Sequence, residues 1–246
     1  MTITVTCSRF IQTAFSLSST LLPALSTMKA VIFDVDGTLY DQSRLRRKML
    51  YALLGYYALR PWRAQELLIL SKFRAEREKR SGAVGPDLEN AQYTWCAEKG
   101  GYSIPKIKRT VEQWIFRSPN RYLAQCVYPG TQTFFETLRQ RGIKIGIYSD
   151  YAAHDKLVAM GLQADIVVSS TDPFIDRMKP NPEGLLYIAQ QLEVAPEECL
   201  FIGDRQELDG VCAERANMPY RIVDKQPFAQ FDFYHTLKNQ LFPSTN

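Results

Sequence analysis

The stretch VIFDVDGTLY, Val31 to Tyr40, follows Ala30, so four apolar residues run straight into two aspartates separated by a single residue. Side chains two apart on an extended segment point the same way, so Asp34 and Asp36 lean toward one spot just beyond a buried strand. Gly37 then lets the chain turn away. Two carboxylates that close stay ionised together only if a cation neutralises them or one holds a proton. An Asp-Gly turn at the end of a strand accounts for Asp36 and Gly37 alone. It does not account for Asp34, which stands where the apolar run ends and before any turn residue.

The chain has 246 residues, 46% of them hydrophobic, enough to bury a sizeable core as one large domain or two modest ones. No run of 18 apolar residues occurs; the best candidate, 10–25, is broken by Gln, Ser, Thr and Pro, so no membrane span is expected. The five cysteines (7, 96, 126, 199, 212) are odd in number and form no C-x-x-C pair, which argues against a disulfide framework or a zinc site and for a reducing compartment. Only His154 and His235 are available for a Cys-His or Ser-His pair, and both are read as structural.

Charge divides the chain. Residues 44–128 hold 17 Lys+Arg and 7 Asp+Glu, net +10, and the rest holds 13 and 19, net −6. The same stretch contains all three tryptophans, at 62, 95 and 114. It is therefore read as a separate inserted module. Residues 1–27 are rich in Ser and Thr, with Arg9 their one basic residue and no acidic one. They read as a transit peptide or, the favoured expectation, as a start assigned upstream of Met28; both readings leave them outside the fold. A cytoplasmic protein is expected, organellar if 1–27 is a transit peptide.

From residue 142 onward short β-rich runs alternate with helical patterns, the signature of a parallel sheet covered by helices. Strands are predicted at 143–149, 165–169, 199–203 and 220–223. Helices are predicted over 131–141, with Phe134, Phe135 and Leu138 on one face and Gly142 as its cap, over a short stretch ending at Gly161, and over 182–192 with proline in the first turn. Residues 42–128 carry no comparable strand signal. Leu45, Met49 and Leu53 recur at helical spacing until Pro61, a second helix runs to about Arg80, and 82–86 is a loop. Ile107, Val111 and Trp114 mark a further helix stopped by Ser118-Pro119. The apolar stripes of these helices are read as the insertion's own core.

In a parallel α/β sheet the strand C-termini share one edge, so residues distant in sequence meet there. Here that edge collects Asp34 and Asp36, Ser149 with Asp150, and Asp204, with Lys179-Pro180 in the loop after the 165–169 strand and Asp209 five residues beyond Asp204. Asp34 and Asp204 offer hard oxygen ligands suited to Mg²⁺. Ser149 and Lys179 offer donors to an anion. A cation and an anion held side by side is what phosphoryl transfer requires. No G-x-x-x-x-G-K-[ST] or G-x-G-x-x-G occurs, so a P-loop or dinucleotide fold is not supported.

D-x-D-G-T-L, a hydrophobic strand ending in Ser, K-P, and G-D-x-x-x-x-D, in that order, resemble the haloacid dehalogenase-like superfamily over Met28 to about Pro227. The 43–127 insertion is similar to its type I helical cap, and V-Y-P-G-T at 127–131 resembles the return to the core. The resemblance implies a Rossmann-like catalytic core (28–42 and 128–246) with an inserted α-helical cap. It also implies a phosphatase acting through an aspartyl-phosphate. Asp34 would be nucleophile and metal ligand. Asp36 would be acid and base, its carbonyl on Mg²⁺, with Thr38 orienting it from the turn and grouped with the phosphate-binding residues. Ser149 and Lys179 would bind the phosphoryl group, Asp204 would bind Mg²⁺, and Asp209 would support the metal from behind.

Dehalogenases of that superfamily lack the second aspartate, since a departing halide needs no proton, so Asp36 argues for phosphate esters. Arg205, where a small residue is frequent, and Asn217-Met218, where glycine is frequent, are read as structural variation; Asp150, often Asn in relatives, has no assigned role. The expected partner is a small phosphorylated metabolite. A phosphomutase using the same aspartates is the nearest alternative. A second alternative takes the basic module, with Trp114, Phe116 and Tyr122, as a nucleic-acid platform. A positive lid that steers anions, beginning with Arg44, Arg46, Arg47 and Lys48, is the preferred reading of that charge.

Overall fold

The computed structural model describes residues 28–243; the expectations for residues 1–27 lie outside them. β1 (Ala30–Phe33) is followed by α1 (Gln42–Ala58), α2 (Gln65–Glu78), α3 (Leu88–Gly100), α4 (Ile104–Val111) and the short α5 (Asn120–Leu123). Then come α6 (Thr131–Gln140), β2 (Lys144–Ser149), α7 (His154–Met160), β3 (Ile166–Ser169), α8 (Glu183–Gln191) and β4 (Cys199–Gly203). α9 (Val211–Arg215), β5 (Tyr220–Ile222) and α10 (Phe233–Leu241) complete the chain.

The five strands form one sheet in the order β3-β2-β1-β4-β5, with every pairing parallel. The fold is thus α/β and Rossmann-like, as the alternation of strand and helix signals predicts. β1 is central and wholly buried because it has neighbours on both edges and helices over both faces. Its side chains alternate between two cores. Val31 and Phe33 pack with Phe134, Phe135 and Leu138 of α6 and Tyr234 and Leu237 of α10. Ala30 and Ile32 pack with Leu185 and Ile188 of α8 and Cys212 and Ala213 of α9.

Local chemistry explains the element ends. Asp41 accepts the Arg44 N–H at 3.0 Å and caps α1, and Gly142 and Gly161 take positive φ where α6 and α7 stop. Predicted strand and helix limits in the sheet region agree with the structure to within a few residues at most. Four helices were not legible: the short α5 and α9, and the longer α3 and α10. α3 begins at Asp87, a capping residue in left-handed conformation (φ 61°) that interrupts the local pattern, and α10 lies in a stretch where aromatic residues mask the helical period. The helix read through Trp114 changes after Val111 into a π-turn, Glu112–Arg117, which rotates Trp114 and Ile115 inward.

The chain leaves and re-enters the sheet region side by side, with Asp41 N–H on Cys126 O at 2.9 Å and Tyr128 N–H on Leu39 O at 3.1 Å. The four described cysteines are buried and unpaired. Among the described residues no helix is long and apolar enough to cross a membrane.

Candidate active site

Strand register positions the site. Phe33 pairs with Ile147 on one side and with Ile202 on the other. The residues that follow therefore leave the sheet together: Asp34 and Asp36 from β1, Ser149 and Asp150 from β2, Asp204 from β4. Chain order reverses between β1 and β4, which opens a crevice at that edge. The turn needs Gly37. Its φ is 96°, and a Cβ there would collide with the Asp204 carboxylate.

Asp34 is 6% exposed; its Oδ1 accepts from Lys179 Nζ at 2.8 Å and its Oδ2 from Thr38 Oγ1 at 3.0 Å. Burial raises its pKa to about 7; Lys179 opposes the rise, and Asp209, Asp204 and Asp36 add to it. Lys179 also donates to Asp209 Oδ1 at 2.8 Å and lies over the rings of Tyr148 and Phe201. Burial works against its charge, but Asp209 and Asp34 hold its pKa well above the ordinary value.

Asp36 is held separately. Lys156 Nζ of α7 donates to its Oδ1 and Oδ2 at 2.6 and 2.7 Å, and the Tyr40 hydroxyl donates to Oδ1. Burial disfavours the Asp36 charge, yet Lys156 outweighs it and the pKa is lowered.

The structure brings Asp34, Asp36, Thr38, Ser149, Lys179, Asp204 and Asp209 into one cluster, with differences from expectation at Thr38 and Arg205. Thr38 is wholly buried and its hydroxyl is on Asp34, not on Asp36. Its backbone oxygen is held by Tyr234 Oη at 2.8 Å. Ser149 is wholly buried too; its Oγ accepts the Tyr151 N–H at 3.3 Å, which leaves its proton uncommitted. Arg205 does more than vary structurally: it pairs with Asp150 at 3.2 Å and with Glu78 of α2 at 3.4 Å. Asp150 also accepts from Ser170 Oγ at 3.0 Å, which gives it a part in orienting this edge.

Lys156 and Tyr40 were not singled out in the sequence. Tyr40 sits four residues after Asp36, a spacing that could have been noticed; Lys156 lies 120 residues away and nothing local marks it.

Carboxylate oxygens of Asp34, Asp204 and Asp209 lie within 4.8 Å of one another. Asp209 has both oxygens committed, Oδ1 to Lys179 and Oδ2 to the N–H groups of Asp204 and Arg205 at 3.1 and 3.0 Å. Among the described residues, the cations that the Asp204 carboxylate meets are Lys225, itself 64% exposed, at 3.1 Å and Arg205 at 3.9 Å. Its pKa is raised by burial and by Asp209.

Above the carboxylates opens a cavity of about 830 Å³, walled by α1, α2 and the Glu112–Arg117 turn. Leu45, Met49 and Leu53, read from the sequence as core, face this cavity, although Leu45 and Met49 also pack in the core. Trp114 is buried against Tyr56 and Tyr57 and offers no free face to a stacked base.

A family model for haloacid dehalogenase-like hydrolases matches residues 28–217. The chain belongs to that family. Among haloacid dehalogenase-like relatives, it is 28% identical over 203 residues to the glyceraldehyde 3-phosphate phosphatase of Methanopyrus kandleri, covering 78% of this chain and 82% of that one. It is 34% identical over 199 residues to YhcW of Bacillus subtilis, covering 80% and 83%. The crystal structure of a HAD phosphatase from Thermococcus onnurineus superposes with a TM-score of 0.59 at 23% identity, over 87% of this chain and 98% of that one, a likeness of fold.

Proposed function

We propose that this hydrolase is a Mg²⁺-dependent phosphatase that cleaves a phosphate monoester through an aspartyl-phosphate on Asp34, with the helices between β1 and α6 serving as its cap. The observation that carries the reading is the separate tethering of two carboxylates on one cavity floor: Asp34 by Lys179 and Thr38, Asp36 by Lys156 and Tyr40. Two such groups, held apart in partner and pKa, suit two roles.

In the first half-reaction an Asp34 oxygen bonds to phosphorus, the bond from phosphorus to the ester oxygen breaks, and Asp36 gives that oxygen its proton. The dianionic phosphoryl group beside Asp36 raises its proton affinity for this step. In the second, water attacks phosphorus, Asp36 takes its proton, phosphate leaves and Asp34 is restored. The Lys156 pair favours the carboxylate form used here. Lys179 neutralises Asp34, and the free Ser149 proton donates to a phosphoryl oxygen.

The donor set fits a hard divalent cation, because Asp34, Asp204 and Asp209 gather within 4.8 Å around one buried lysine, Lys179, and burial leaves Asp34 and Asp204 with raised proton affinity. Asp34, Asp204 and the Asp36 carbonyl would hold it, and Asp209, its oxygens already taken, would position Asp204's loop. Bound there, Mg²⁺ supplies charge neutralisation for the phosphoryl oxygens.

Phosphate release from a panel of monoesters, with Mg²⁺ and with EDTA, tests the function. Release that requires Mg²⁺, with a phosphoryl adduct on the Asp34 peptide after acid quench, is expected. Isomerised ester without free phosphate would assign a mutase instead, and neither product from any ester would overturn both.

Stability should report the metal as well. In the metal-free protein Asp34 binds its proton more tightly when folded (about 7) than at its ordinary 3.8, so stability falls as pH rises from about 4 through 7. The lowered pKa of Asp36 acts only below that window. The rise in Tm on adding Mg²⁺ is therefore expected to be larger at pH 8 than at pH 5. Equal shifts at both would count against a cation at these carboxylates.

A further inference from the structure

The walls of the cavity are chemically divided. Its floor is charged: Asp34, Asp36, Asp150, Lys156, Asp204 and Arg205, all on or following the sheet. Apart from Tyr40 and Tyr151, its nine apolar lining residues all lie between Leu45 and Leu123, in the segments above, which also bring Gln42, Arg46, Arg74 and Glu78. α1 contributes most. Gln42, Leu45, Arg46, Met49, Leu50 and Leu53 follow one another at three- and four-residue spacing, so one continuous helix face is turned toward the cavity.

Such a face is ordinarily covered by other side chains. Here Leu45 and Met49 are nearly buried, but Leu50 is 53% exposed and Leu54, one turn on, is 58% exposed, so the apolar wall runs from the carboxylates out to the mouth. A second feature borders that face, where Trp114 packs against Tyr56 and Tyr57 of α1. Trp114, 5% exposed, lines the cavity, and its indole N–H is buried with no acceptor. A buried donor without a partner is costly unless something supplies one.

Resting on the phosphatase reading, we propose that the ester's leaving group is a large apolar body, a hydrocarbon chain or ring system attached to the phosphate through its ester oxygen. The phosphate sits on the charged floor and the hydrocarbon lies along the Leu45–Met49–Leu53 face, with Trp114 at its border. About 830 Å³ falls in the range that holds a drug-sized molecule, and the apolar residues are gathered on one side of it, over the charged floor, so that one ligand could meet both. A short polar ester would leave the apolar wall wet, losing the transfer free energy that a hydrocarbon gains there. Arg46 and Arg74, on the rim, draw the phosphate inward without contacting the chain.

The test is a series of alkyl phosphates from ethyl to octyl, below their aggregation concentrations and with Mg²⁺, against glycerol phosphate. kcat/KM is expected to rise about fourfold per fully buried methylene over the first several members. Leu53→Glu and Leu50→Glu should flatten that slope; Tm confirms that each is folded, and Leu50, being exposed, guards against a folding artefact. A flat series, or glycerol phosphate preferred to octyl phosphate, would overturn the proposal while leaving the phosphatase intact. If no ester is hydrolysed the phosphatase reading fails, and calorimetric titration with octyl and ethyl phosphate decides this one alone. Tighter octyl binding, with a change in tryptophan emission, sustains the apolar subsite; equal affinities remove it.

Discussion

Asp34→Asn is expected to lower Mg²⁺-supported phosphate release by about four orders of magnitude or more, the scale seen when a covalent nucleophile is removed. An amide of nearly identical shape has no charged oxygen to attack phosphorus, and if its NH₂ faces Lys179 Nζ, now at 2.8 Å from Asp34 Oδ1, two donors confront each other. The fold should survive. Burial already disfavours the Asp34 charge, and Lys179 keeps Asp209 as a second partner at 2.8 Å. Tm near that of the parent, together with lost turnover and no phosphoryl adduct, is therefore the expected pattern. More than about one hundredth of the activity remaining in the variant would remove Asp34 from the nucleophile's role.

Lys179→Met should act in the opposite way, on stability before activity. The ammonium is wholly enclosed between Asp34 and Asp209, and the side chain crosses the faces of Tyr148 and Phe201, 5.0 and 5.4 Å from their centroids. Methionine fills much of the same apolar tunnel but leaves two buried carboxylates without their cation. Breaking a buried pair in this way costs about 3–5 kcal/mol. For a chain of this size that lowers Tm by about 10 °C or more. The loss should be larger at pH 8 than at pH 5, where Asp34 can take up a proton instead. Thermal unfolding of the metal-free proteins measures it. A Tm within about 2 °C of the parent at pH 8 would mean that the lysine is not what keeps these carboxylates together.

The two variants differ in how visible their targets were. Asp34 announces itself, since a charged residue directly after four apolar ones needs a reason that no turn supplies. Lys179 is legible only as a member of a spaced set of motifs, and its complete burial between two carboxylates belongs to the folded chain. Thr38 was placed in the right turn but on the wrong partner. A four-residue turn brings its hydroxyl within reach of both aspartates, and only the φ of Gly37 and the Tyr234 bond to its carbonyl settle which one it meets.

The sequence by itself determined the five strands, the helices that join most of them, the parallel sheet and the edge at which the carboxylates gather. Each follows from local rules: apolar runs of strand length, helical spacing, glycine where a helix must stop, and strands that all end on one side. The tertiary structure alone decided who holds whom. Lys156 reaches Asp36 across 120 residues because α7, packed against α5, comes to rest beside the turn that follows β1, and Asp209 spends both oxygens on neighbours and so stands behind Asp204. The stripe on α1 borders a cavity that it shares with Trp114 and Ile115 of the π-turn. A hydrophobic period states that a face is to be covered; whether side chains or a ligand cover it depends on where the neighbouring helices come to rest.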